Sequence, residues 1–156
     1  SFTSSILINM LHSALDLHTA SRPLRNIGGF VFGYPHLLPL LQKGELRKIF
    51  KHVKDHIGNG LGGRNYEPIL CLDVNGVTLG SYYVIEYAIP LIDILHLNSE
   101  ELNLLLPEIN GDVEEKAKEI VKRGAAIVCV TLGREGCVVA CGDDERFAKV
   151  RVDYVR

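Results

Sequence analysis

No apolar run in this 156-residue sequence approaches the roughly 20 residues needed to cross a bilayer, which leaves no candidate membrane helix. Ser1–Met10 lacks the basic start and cleavage pattern of a signal peptide, so a soluble cytoplasmic protein with no membrane partner is expected. An excess of one charge is lacking too. The 17 basic residues are scattered among 19 acidic ones, for a formal net charge of -2, which offers a phosphate backbone no basic stripe and argues against nucleic acid as a partner. Cys71, Cys129, Cys137 and Cys141 have no C-x-x-C spacing and sit in apolar runs, so buried reduced thiols are expected rather than disulfides or zinc. Internal repeats are absent, and no glycine-lysine-serine or glycine-lysine-threonine run supplies a Walker A loop.

What is present is a 47% hydrophobic chain, enough for one globular domain with a substantial core. The spacing of Ile6, Met10, Leu11, Leu15 and Leu17 predicts a helix ending near Thr19. Short apolar runs at Ile27–Phe32, Ile69–Leu72, Ile94–Leu97 and Ala125–Val130 read as buried strands. Between them lie helical patterns running through Leu40 to Val53, from about Tyr82 to Ala88, and from Val113 to Lys122. Cys137–Ala140 reads as a hairpin partner, and Phe147–Val155 is strand-like by alternation. Apolar strands alternating with amphipathic helices predict parallel βαβ units with helices on both sheet faces and an antiparallel edge after Gly136.

Several patterns carry little chemistry. Gly58-Asn59-Gly60-Leu61-Gly62-Gly63 has G-x-G-x-x-G spacing, yet a helix precedes it and a strand follows, the reverse of a dinucleotide site, so it reads as a surface loop. A dinucleotide-dependent oxidoreductase rests on those glycines alone. His52 and His56, one helical turn apart, lack a third ligand and read as an exposed helix face. His96, inside a strand, reads as a packed, hydrogen-bonded core histidine.

Three segments follow the C-terminal ends of predicted parallel strands, where open α/β sheets bind ligands: Leu72-Asp73-Val74-Asn75-Gly76, Asn98-Ser99-Glu100-Glu101 and Thr131-Leu132-Gly133-Arg134-Glu135-Gly136. A carboxylate and an amide at a helix start can hold the waters of a magnesium ion near a polyphosphate, and glycines admit close backbone approach to a nucleotide. The same Asn98–Glu101 pattern is also an ordinary capping box.

Gly33-Tyr34, Asp73-Val74-Asn75, the N-x-x-E run Asn98–Glu101 and the V-T-L-G-x-x-G run Val130–Gly136 together resemble, in order and spacing, the ribokinase/PfkB carbohydrate kinase family over nearly all of Ile27–Val155. The resemblance implies a three-layer α/β/α ribokinase-like fold with a mostly parallel sheet, here incomplete. Residues 1–156 would form a partial domain, the middle and C-terminal half, cut before the catalytic aspartate. It implies a parent that transfers the ATP γ-phosphate to a hydroxyl of a sugar or sugar-like alcohol with Mg2+. Asn98 and Glu101 would organise magnesium and phosphates, Thr131, Gly133 and Gly136 would border the nucleotide, and Asp73 and Asn75 would line the cleft. Many relatives carry an arginine shortly beyond the aspartate, where this chain reads Gly76-Val77-Thr78. The family's G-A-G-D run, with the base and the anion hole, is not in the sequence, so the 156 residues alone are expected to be inactive. The alternative is a non-catalytic interaction or nucleotide-binding module derived from a sugar kinase. Which sugar is used, and whether the parent is a homodimer, stays open.

Overall fold

A computed structural model describes residues 5–10, 28–41, 44–57, 67–142 and 147–150. Residues 5–10 are helical (α1), and the remainder of the helix expected there lies outside the described residues, as do the Gly58–Gly63 loop and the chain beyond Val150. Six strands form one sheet in sequential order: β1 Gly29–Gly33, β2 Ile69–Asp73, β3 Ile94–Asn98, β4 Ile127–Thr131, β5 Cys137–Cys141 and β6 Phe147–Val150. Strands β1 to β4 pair in parallel, and β5 and β6 add antiparallel. The four apolar runs are therefore parallel neighbours, as expected, with boundaries shifted by one or two residues.

Three further helices complete the described elements: α2 Glu45–Ile57, α3 Ser99–Leu105 and α4 Val113–Lys122. Strand order advances in one direction from β1 to β4, so right-handed crossovers deliver their connections to the same side of the sheet. The core confirms this. Leu70, Leu72, Leu95, Leu97, Val128, Val130, Val138 and Ala140 alternate along their strands and join Phe50 of α2, Leu102 of α3 and Ile120 of α4 in one buried cluster. Complete burial of each such leucine or isoleucine contributes about 1.5–3 kcal/mol. The rings of Phe30 and Phe32 meet Phe50 edge-on at 6.3 and 6.2 Å, which seats α2 on β1. Among the described residues the helices form one of the two helical layers of the expected architecture.

Two expected helices take other forms. The pattern through Leu40 begins with 3-10 turns at Pro35–Leu37 and Pro39–Leu41, and the α-helix starts only at Glu45, because two prolines and Gly44 (φ 88°) break the register. In place of a helix from Tyr82 to Ala88 there are 3-10 turns at Ser81–Val84 and Ile89–Leu91. Pro90 has no N–H to return to Glu86, which stops an α-helix from propagating. The segment still buries Val84, Ile85, Ala88 and Ile89, and Arg123, the residue that caps the C-terminal end of α4, lies 4.6 Å over the Tyr82 ring.

Candidate active site

The parallel strands end together, and their register lines up the expected residues. Gly33 of β1 pairs with Asp73 of β2, Asp73 with His96 of β3, and Asn98 of β3 with Thr131 of β4. Side chains alternate, so Asp73, His96, Asn98 and Thr131 share the sheet face opposite the buried core. Next to them Tyr34 holds a left-handed backbone (φ 58°), the one non-glycine residue with positive φ among the described residues, and its N–H donates to the Asp73 carbonyl at 3.1 Å.

Asn98 closes β3 and caps α3. Its Oδ1 accepts from the Glu101 N–H at 2.8 Å, while Glu101 Oε2 accepts from the Asn98 N–H at 2.9 Å. The capping box uses one of the two Glu101 carboxylate oxygens. Asn75 turns inward on its own loop, where Oδ1 accepts from the Gly76 N–H at 2.8 Å. Gly76 has φ 71°, and a Cβ there would lie 2.5 Å from Leu37 Cδ2, so any other residue at this turn would carry backbone strain and displace the exposed Leu37 side chain.

Beyond β4 the chain makes a 3-10 turn at Gly133–Glu135, closed by the Leu132 N–H donating to the Gly136 carbonyl at 2.8 Å. Gly133 (φ 59°) and Gly136 (φ 100°) supply the backbone angles that this strand-to-strand reversal requires. Thr131 is half-buried, Gly133 exposed and Gly136 buried.

His96 departs from expectation. It is hydrogen-bonded but not packed in the core: Nδ1 lies 2.6 Å from Asp73 Oδ1, and the two side chains are 46% and 40% exposed. Its strand parity points it to the face opposite Leu95 and Leu97, and sequence alone cannot say which face is covered when both sets of residues flank an apolar run. The cysteines are likewise half-buried rather than buried, because all four sit at open-face positions. Burial, then its Cys137 neighbour, pushes the Cys129 thiol up, and burial followed by the Asp93 charge raises Cys71, so neither is poised as a thiolate nucleophile. His52 is half-buried rather than exposed. No cluster of three or more His, Cys, Asp or Glu suited to direct metal ligation occurs among the described residues.

No protein-family model matches the chain, and the curated proteins contain no significant match. Solved structures do match. The chain is similar to a phosphofructokinase-2 mutant from Escherichia coli (TM-score 0.57, 23% identity, 81% of this chain and 37% of that one). It is similar to fructokinase from Vibrio cholerae (TM-score 0.57, 19% identity, 80% and 40%) and to aminoimidazole riboside kinase from Salmonella enterica (TM-score 0.58, 16% identity, 81% and 40%). It spans about two fifths of the length of these kinases. The chain therefore has the ribokinase-like α/β fold of these sugar kinases.

Proposed function

We propose that the chain supplies the nucleotide side of an ATP-dependent kinase that phosphorylates a hydroxyl of a sugar or sugar-like alcohol. The observation that carries this reading is the register placing Asp73, His96, Asn98 and Thr131 side by side at the C-terminal ends of the parallel strands, where α/β sheets bind ligands. Phosphoryl transfer depends on positioning and charge stabilisation, and the residues here suit those tasks. The turn that follows Thr131 starts beside Asn98 and exposes Gly133, where a nucleotide can approach the backbone without meeting a Cβ.

The donor set fits a hydrated magnesium ion. Glu101 has one carboxylate oxygen outside its capping box, Asp73 has Oδ2 beyond its contact with His96, and hard oxygen ligands in this number match an ion that keeps most of its waters. When bound, magnesium would neutralise charge on the phosphates. Asn98 and Glu101 would hold its waters, with the capping box fixing both side chains in advance.

In this reading the proton acceptor for the sugar hydroxyl comes from a G-A-G-D segment that the 156 residues do not include. The chain on its own should therefore bind Mg·ATP without phosphorylating sugars. Calorimetric titration with Mg·ATP, together with a coupled assay over a panel of sugars, tests both halves. Absence of ATP binding overturns the nucleotide role, and sugar turnover would place the base within these residues. The completeness of the Asn98–Glu101 capping box favours the competing reading, a non-catalytic module in which both residues only start a helix, and it predicts ATP binding unaffected by magnesium.

A further inference from the structure

Asn75 and Gly76 form an asparagine-glycine step in the loop that leaves β2 at the candidate site. Such a step carries chemistry of its own, because glycine has no side chain to shield its nitrogen from the amide carbon of the preceding asparagine. The structure brings the two reacting atoms together. The Gly76 nitrogen lies 2.8 Å from Asn75 Oδ1, and Cγ is bonded to that oxygen at about 1.23 Å, so nitrogen and carbon are at most about 4.0 Å apart. The step is also held on both sides. Val74 is buried and donates its N–H to the His96 carbonyl at 2.8 Å, while Gly76 sits at φ 71° with the Leu37 side chain against it. Asn75 and Gly76 are only half-buried and lie in neither helix nor strand, so water reaches them and no ladder opposes a change of backbone. The same dipeptide recurs at Asn110–Gly111, where the Glu115 carboxylate lies against Gly111 and opposes an amide anion. A third copy, Asn59–Gly60, lies outside the described residues.

We propose that Asn75 is a site of intramolecular deamidation, with the turn holding Gly76 in place as the nucleophile. The Gly76 nitrogen gives up its proton and attacks Asn75 Cγ. The N–Cγ bond forms, the bond from Cγ to the side-chain nitrogen breaks, and ammonia departs with the proton that Gly76 lost. The product is a five-membered succinimide. Water then opens the ring at either carbonyl, leaving aspartate or isoaspartate, so the net exchange is water in and ammonia out, with no oxidant, reductant or cofactor. Holding the two groups in contact supplies the rate advantage of proximity. Both products put a carboxylate where the amide stood, and isoaspartate also lengthens the backbone of the turn. The effect on ligand binding rests on the nucleotide-side reading: a carboxylate on this wall of the cleft repels phosphates and weakens Mg·ATP.

The test ages the full 156-residue chain at mildly alkaline pH in heavy-oxygen water and follows the peptide containing Asn75 by mass spectrometry. The same chain unfolded in guanidinium and the folded Asn75→Gln variant are aged beside it. The expected result is uptake of heavy oxygen at Asn75 with an isoaspartate fraction, several-fold faster in the folded chain than in the unfolded one, and none at this position in Asn75→Gln. An unmodified Asn75, or conversion no faster folded than unfolded, overturns the proposal. Calorimetry with Mg·ATP on fresh and aged chains reads the consequence, a several-fold loss of affinity on ageing that Asn75→Gln does not show. Equal affinity before and after ageing would remove Asn75 from the cleft. If the fresh chain does not bind Mg·ATP, the nucleotide reading fails, and oxygen uptake still decides the proposal.

Discussion

At the residue scale, His36 shows how burial sets a proton equilibrium. Its Nδ1 is buried without a hydrogen-bond partner among the described residues, and desolvation holds its pKa below the usual 6.5, only partly offset by the contact of Nε2 with the Ser81 carbonyl. The unfolded chain then takes up a proton at higher pH than the folded one. Stability from this group is fully present above about pH 6.5 and is lost as pH falls through the lowered folded value. The expected outcome is that urea midpoints measured at about pH 7.5 and about pH 5.5 differ more for the native chain than for His36→Gln. Equal differences would show that His36 is solvated. Its neighbour in chemistry, His96, has the opposite environment, and no feature of its flanking residues distinguished the two. Isoleucine, leucine and leucine surround His96 whichever face of the sheet is covered.

At the scale of elements, the chain contains two capping boxes with the same local design. Asn98 and Glu101 start α3, while Asp112 and Glu115 start α4, each with reciprocal hydrogen bonds of 2.8–3.0 Å. Only the first follows directly from a strand end at the candidate site; Asp112 follows a loop after α3. This pair separates folding from function. Glu101→Gln and Glu115→Gln should each cost at most about 1 kcal/mol of stability, since glutamine keeps the reach of glutamate and loses only its charge. Magnesium-dependent ATP binding should weaken in Glu101→Gln and remain intact in Glu115→Gln. Thermal melts and calorimetry on the two variants check this, and equal behaviour in both assays would reduce Asn98 and Glu101 to a helix start. The sequence analysis singled out only the Asn98–Glu101 box, although capping is local and the Asp112–Glu115 pattern is of the same kind. Nothing within the four residues says which box borders a ligand.

At the scale of the whole molecule, the described helices cover one face of a mostly parallel sheet and leave the other half-exposed, whereas parallel sheets are ordinarily covered on both. The open face is apolar away from the strand ends: Val31 is 72% exposed and Ile69 47%, beside Cys71, Ile94, Ile127 and Val139. Adjacent residues should therefore differ sharply. Leu70→Ala, on the covered face, should cost about 2–5 kcal/mol, whereas Ile69→Thr should cost under about 1 kcal/mol. The double variant Val31→Thr with Ile69→Thr should bind less of an apolar fluorescent dye than the native chain under folding conditions. Denaturant melts and dye titrations check both outcomes, and similar costs at the two positions would mean that the second face is covered as well. The sequence by itself determined where the strands lie, because short apolar runs bounded by glycine, proline and asparagine have few other uses, and it determined the α4 helix to the residue through its apolar spacing. It also set the order of the turn segments, and with it the expectation of a ribokinase-like fold. Tertiary structure alone decided which parity of each strand is buried, that Tyr82–Ala88 tightens into 3-10 turns before Pro90, and that Asp73 and His96 meet. Those outcomes depend on pairing between strands more than twenty residues apart and on one-sided crossovers, and neither is encoded in the periodicity of any single segment.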